Sequence, residues 1–282
     1  MAEAAPQSLI VATREDMLAE AKGIVDAARA QGIVLRMLGG LAARLYCRSL
    51  DFCERDHGDI DLIGHRRDAR RIEDLMTDLG YGEDLHVSLA TEGRQLQFVR
   101  KCRHGDEWRE YRPHDEDHTD VFLDTFLMDH ALDLRDRLEL DDYAITPSDQ
   151  LLIKLQMAHL EEKDERDAFT LLQDLEFAGT PGAAGRDLAA GAPEERGVID
   201  AAYLARLCAH DWGLFHDVQA NLARLQEDLA TFAVDPGVES RVRYALTELG
   251  RALEAEPKPA SWRLRAKIGT RVPWRNLVEE QE

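Results

Sequence analysis

Two aspartates one residue apart, Asp59 and Asp61 in "GDIDL", follow a glycine pair, Gly39 and Gly40, that closes the apolar run "IVLRML". On a strand, residues i and i+2 project from one face, so the two carboxylates point together. Like charges that close repel, and away from water the repulsion is costly unless a cation lies between them. Magnesium suits such a pair: it takes hard oxygen ligands, keeps several waters, and completes its shell with substrate phosphates. A third acid on a neighbouring strand would extend the pair to a two-metal clamp for phosphoryl transfer. "HTDVFLD" offers Asp120, with Asp124 in reserve on the same face of the expected strand. The glycines fit the same chemistry. Backbone without Cβ can approach phosphate oxygens closely, and a helix starting just after it presents free N–H groups and the positive end of its dipole.

These motifs, "LGG…R…GDIDL" followed by "TDVFLD", resemble the nucleotidyltransferase superfamily built on the DNA-polymerase-β-like minimal fold. The resemblance implies that Asp59, Asp61 and Asp120 bind Mg²⁺ (or Mn²⁺), and that Gly39 and Gly40 cradle the triphosphate of an NTP. Downstream, "ITPSDQLLIKLQMAHLEEKDERDAFTLL" is similar to the helical part of the AbiEii-type branch, the toxin class of type IV toxin–antitoxin systems and its relatives. That likeness assigns Lys154, with Asp164 and Asp167 of "KDERD", to the nucleotide site. It covers residues 33 to about 175. Two features depart from the family pattern. Gly40 stands where many active members carry Ser, removing a side-chain contact to phosphate, and the stretch from Gly40 to Asp59 is several residues longer than usual.

The elements that must position these residues follow from periodicity. "REDMLAEAKGIVDAARAQG" reads as a helix ending at Gly32, behind a Thr13/Asp16 start signal. Strands are expected at 33–38 and 59–64, with a helix over "LAARLYCRSL" between them. "RDARRIEDLMTDLG" is amphipathic, with Ile72, Leu75, Met76 and Leu79 on one face. "LHVSLAT" and "RQLQFVRK" alternate like strands, and "TDVFLDTF" (119–126) is expected to return as a hairpin strand. From Pro147 the pattern is helical: one helix, a second beginning near Lys163, then 200–209, 211–231 and 236–254. The expected architecture is α/β (α+β): a mixed-sheet nucleotidyltransferase-like core over 1–145, then an all-helical half over 146–282 with a Gly/Ala/Pro-rich linker at 179–197.

Composition narrows the partners. In 282 residues the formal charge is −20, which argues against sequence-independent attraction to DNA or RNA. A small molecule or a protein side chain is therefore favoured over tRNA as acceptor. No run approaches the roughly 18 apolar residues of a membrane helix, and the N-terminus has no signal-peptide pattern. The four cysteines are scattered without a CxxC pair, so a disulfide framework is not expected and a cytoplasmic location is.

The competing readings are plainer. Asp59 and Asp61 would be solvated acids on an exposed strand, Lys154 a snorkelling lysine, and Asp164 and Asp167 helix-start acids complementing the macrodipole. Arg55 and His57, by contrast, are themselves expected to have no direct role, "HDEDH" (114–118) to be a hairpin tip, and Trp262 and Trp274 to pack the basic tail onto the helical half. The sequence thus predicts an Mg²⁺-dependent transfer of a nucleoside monophosphate from an NTP to an acceptor hydroxyl. Its rivals are a catalytically weak nucleotide-binding or interaction protein on the same fold, and a toxin restrained by an antitoxin-like partner.

Overall fold

Short aliphatic runs pair into a six-stranded mixed sheet ordered β1(Leu35–Leu38), β2(Ile60–Gly64), β6(His118–Leu123), β4(Gln95–His104), β3(Tyr81–Glu83), with β5(Glu107–Glu110) pairing β4 off this path. The structure is a computed structural model that describes residues 14–48, 55, 57–104, 107–110, 118–178 and 197–276. Strands β2 and β6 run parallel, whereas β1–β2, β6–β4 and β4–β3 are antiparallel.

Period-2 alternation sorts the strand side chains between two cores. Leu35, Met37, Ile60, Leu62, Val121 and Leu123 pack with α1(Arg14–Ala30) and α3(Ala69–Asp78) on one face. Leu38, Ile63 and Phe122 point the other way, into a core shared with α5(Pro147–Leu155) and α6(Glu162–Asp174). Behind these helices stand α7(Ala201–His210), α8(Trp212–Asp228) and α9(Pro236–Ala255), each started by an aspartate whose side chain accepts from a backbone N–H of the first turn. The second core thus joins the sheet to the helical half, each large buried side chain adding about 1.5–3 kcal/mol.

The α/β architecture with a helical C-terminal half is as expected, but several elements differ. "LHVSLAT" forms α4(Leu85–Ala90), not a strand. Asp84 caps it by accepting from the His86 N–H, and β3 already occupies the pairing edge of β4, so the alternating leucines meet no sheet face. Leu79, expected inward, lies one residue past the end of α3 and is exposed. The return strand stops at Leu123, because Asp124 adopts φ +64° and turns the chain into a separate hairpin, β7(Thr125–Leu127) with β8(Ala131–Asp133). Asp124 is thereby removed from the Asp120 face; it accepts from the Arg66 N–H at 3.2 Å and pairs with Arg135 at 3.4 Å. A short parallel pair, β9(Glu176–Ala178) with β10(Val198–Asp200), was not foreseen.

Cys47, at the end of α2(Gly39–Tyr46), is disulfide-bonded, whereas the scattered cysteines suggest no disulfide framework. Proximity in the folded chain, not a CxxC interval, decides such a bond. Cys208 is a buried free thiol, its pKa pushed up to about 12 by desolvation and then by Asp211. The Thr13 start signal, residues 114–117 of the expected hairpin tip and 179–196 of the expected linker lie outside the described residues. Both tryptophans of the tail turn inward: Trp262 donates to the Cys208 carbonyl at 3.1 Å and Trp274 to Asp217. Among the described residues, no helix is long and apolar enough to cross a membrane.

Candidate active site

Strand register builds the centre. Asp61 on β2 is the direct partner of Asp120 on β6 across the parallel ladder, and of Leu38, the last residue of β1, on its other side. The chain therefore leaves β1 beside Asp61. Gly39 takes φ +70° there and opens α2. A Cβ on Gly39 would strike Oδ2 of Asp61, so both the backbone angle and the neighbour require glycine. From the helical half, buried Gln150 of α5 donates to the Gly39 carbonyl at 2.7 Å and fixes the turn. Gly39→Ala is expected to lower stability by about 2–4 kcal/mol, from the left-handed φ and the displaced carboxylate together. Urea unfolding measures it; a change within error of zero would mean that the turn does not rest on Asp61.

Asp120 is buried and held on both oxygens: Gln97 of β4 donates to Oδ1 at 3.0 Å, and His118 Nε2 lies 3.1 Å from Oδ2. Each oxygen keeps a second lone pair for another partner. The His118 pKa is raised, first by its bond to Asp120 and then by the charges of Asp120, Asp59 and Asp61, against the opposing effect of burial. Asp59 is exposed, one residue before β2 begins, and close enough for its charge to act on Asp61, Arg55 and His118.

Asp61 carries the largest electrostatic load. Burial, then the negative charges of Asp59 and Asp120, raise its pKa to about 8, while Lys154 and His118 oppose the rise. Such a carboxylate has too little positive charge around it to offset its burial and its two acidic neighbours. The surrounding donors are oxygens of Asp59, Asp61 and Asp120, a set that fits a hard divalent cation such as Mg²⁺ or Mn²⁺. As the side chains stand, no three His, Cys, Asp or Glu among the described residues close around one metal position. The structure brings Asp61 and Asp120 side by side and leaves Asp59 at the mouth.

A cationic network borders the carboxylates. A Cβ on Gly40 would collide with the Arg55 guanidinium and approach Nδ1 of His57 to 2.7 Å. Arg55 and His57 thus fill the volume that a side chain at position 40 would need. Arg55 donates from Nε and Nη2 to Asp167 at 3.0 and 2.8 Å. Lys154 is buried rather than snorkelling, with Nζ 2.7 Å from Asp164 and 3.0 Å from Asp167. Burial alone would lower the Lys154 pKa, but Asp167 and Asp164 more than reverse it, so the amine stays charged. Asp164 also accepts from the Glu161 N–H in a capping box at the start of α6. Asp164 and Asp167 thus face the site as counter-ions and do not project from the helix start as solvated acids.

No family model matches the sequence, and no curated protein matches it. Two solved structures are similar over most of their lengths. An antigenic nucleotidyltransferase-like protein from Paracoccidioides brasiliensis is 12% identical, with a TM-score of 0.42 over 88% of this chain and 97% of that one. The antibiotic-resistance factor ANT(2'')-Ia is 14% identical, with a TM-score of 0.29 over 90% and 95%.

Sequence reasoning missed Gln97 and Gln150, and it read His118 as part of a hairpin tip where the structure puts it on β6 beside Asp120. His118 was legible, because it stands two residues before Asp120, the same spacing that singled out Asp59 and Asp61. Gln150 signalled itself only as a polar residue in an apolar helix, and Gln97 became visible once its register with Asp120 was known. A cavity of about 490 Å³ is lined by Glu162, Glu165, Arg166, Arg224, Asp228 and Phe232, away from the carboxylates. Its arginines are already paired with Glu162, Glu165 and Asp228.

Proposed function

We propose that this chain is a divalent-cation-dependent nucleotidyltransferase, moving a nucleoside monophosphate from an NTP to an acceptor hydroxyl. One observation carries the reading: Asp61 and Asp120 are paired in register on adjacent parallel strands, directly beneath the Gly39 turn. Asp59, Asp61 and Asp120 would hold Mg²⁺ or Mn²⁺, which when bound supplies charge stabilisation at phosphorus and lowers the pKa of the acceptor hydroxyl. The Gly39–Gly40 turn and the first N–H groups of α2 would receive the β- and γ-phosphates. Lys154, close enough for its charge to act on Asp61, would offset the phosphate charge. In the transfer, the acceptor oxygen bonds to the α-phosphorus, the bond to the β-bridging oxygen breaks, and pyrophosphate leaves. The acceptor proton passes to a carboxylate oxygen of Asp120, which Gln97 and His118 hold in place. The formal charge of −20 supports a small-molecule or protein acceptor over tRNA.

A second reading, a nucleotide-binding protein without efficient chemistry, draws on Lys154 and Arg55, which Asp164 and Asp167 already neutralise. Calorimetry with ATP, CTP, GTP and UTP in Mg²⁺, alongside pyrophosphate release, separates the two. Release with one NTP, lost in Asp61→Asn, is the expected result. Tight binding without turnover, indifferent to Asp61→Asn, would favour the second reading.

A further inference from the structure

The C-terminal segment reverses the charge of the molecule. Residues 257–276 contain six lysines and arginines and no carboxylate, in a chain whose formal charge is −20, so the remainder carries −26. Helix α10(Ala260–Ile268) and the turn after it are anchored by their inward side chains: Trp262 bonds the Cys208 carbonyl, and Arg265 lies 4.6 Å over the Trp212 ring. Outward, an aliphatic and a basic set lie along the helix at i, i+4 and continue into the turn after Gly269. Leu264, Ile268 and Val272 are 63%, 43% and 43% exposed. Arg263, Lys267 and Arg271 are exposed beside them and form no ion pair among the described residues.

The opposite composition occupies a different corner. Residues 73–92 hold six carboxylates and no lysine or arginine. This stretch runs from the second half of α3 through β3, the last strand of the sheet order, to the end of α4, with Asp74 paired to Arg70 and Glu92 to Arg94 at its borders. Leu79, Leu85 and Leu89 are 42%, 61% and 77% exposed there, the last two at i, i+4 on α4. The acids crowd one another: burial, and after it the charge of Glu83, raises the Glu73 pKa.

We propose that the exposed stripe of α10 docks onto the acidic, leucine-bearing β3–α4 corner of a second copy of this chain. Each surface offers three uncovered aliphatic side chains, and the unpaired cations Arg263, Lys267 and Arg271 beside one set are opposite in sign to the carboxylates around the other. That complementarity selects a second copy over other occupants. Nucleic acid would call for stacking platforms, and both tail tryptophans are committed to inward hydrogen bonds. Because the two surfaces differ, the contact is head-to-tail, and unless rotation closes a ring it adds copies with rising concentration. The inference is independent of the carboxylate site.

Sedimentation velocity on the full chain, up to about 1 mM, tests it. Wild type is expected to associate, at least about tenfold more weakly in about 500 mM than in about 50 mM salt. Ile268→Glu and Leu89→Arg, both at exposed positions, should each leave the protein monomeric. Mixed one to one, the two variants should associate again and stop at a dimer, because each supplies the surface that the other lacks. A wild type that stays monomeric at every concentration would overturn the proposal, whether or not it binds RNA or anionic vesicles. So would a variant that associates like wild type, or a mixture that remains monomeric.

Discussion

Asp61→Asn is expected to reduce nucleotidyl transfer by at least about 10²–10³-fold, while the metal-free protein stays as stable as wild type or becomes more so. The two halves of this result have one cause. In the folded chain Asp61 is crowded by Asp59 and Asp120, and only Lys154 and His118 offset them. Asparagine has the same shape, so it keeps the packing against Gly39 and supplies the neutral side chain that burial and the charges of Asp59 and Asp120 already favour there. A residue retained for the fold alone would behave in the opposite way, losing stability on substitution. Thermal unfolding in EDTA and in Mg²⁺ provides the control: wild type should gain stability from Mg²⁺ through linkage, and the variant should gain much less. If the variant is destabilised in EDTA, or if Mg²⁺ stabilises both proteins equally, the carboxylates are not a cation site.

What the sequence disclosed, and what it hid, follows from how far each signal reaches along the chain. Gly39, Asp59 and Asp61 lie within one strand–turn–helix–strand passage, where period-2 alternation and glycine's φ freedom are local facts. The helices between Pro147 and Ala255 were legible for the same reason, since their caps and apolar faces are written at fixed short intervals. Misreadings arose where tertiary structure decided. "LHVSLAT" alternates like a strand, but the edge it would have joined was taken by β3. Asp124 shares the parity of Asp120 but not its face, because one residue with positive φ resets the alternation. The bidentate bond from Arg55 to Asp167 spans 112 residues, and no spacing rule anticipates it. Lys154 could be named from its motif but not oriented; only packing decided between a snorkelling chain and a buried ion pair.

Asp217→Asn is expected to destabilise the protein by about 3–5 kcal/mol at neutral pH, the range for breaking a buried charge network from one side. Asp217 sits on α8 with its side chain almost fully buried, and four partners converge on it. His130 Nε2 lies 2.8 Å away, Arg275 donates at 2.7 and 2.9 Å, Trp274 at 3.1 Å, and His216 Nδ1 stands at 2.9 Å. With Asn276 bonded to the Met128 and Asp129 carbonyls, the carboxylate fastens the C-terminal segment to the β7–β8 hairpin. Burial would raise the Asp217 pKa, but the bonds from His130 and Arg275, then His216 and Trp274, hold it well below the carboxylate range. The folded state therefore binds fewer protons at this site than the unfolded chain does. Its contribution is present above the unfolded pKa of about 4 and is lost as pH falls towards the folded value. The stability gap between wild type and Asp217→Asn should accordingly narrow as pH drops below about 4. Urea midpoints at several pH values read the gap, and limited trypsin digestion should cut the variant's tail first. Parallel curves for the two proteins down to the lowest pH would show that this carboxylate is not what fastens the tail.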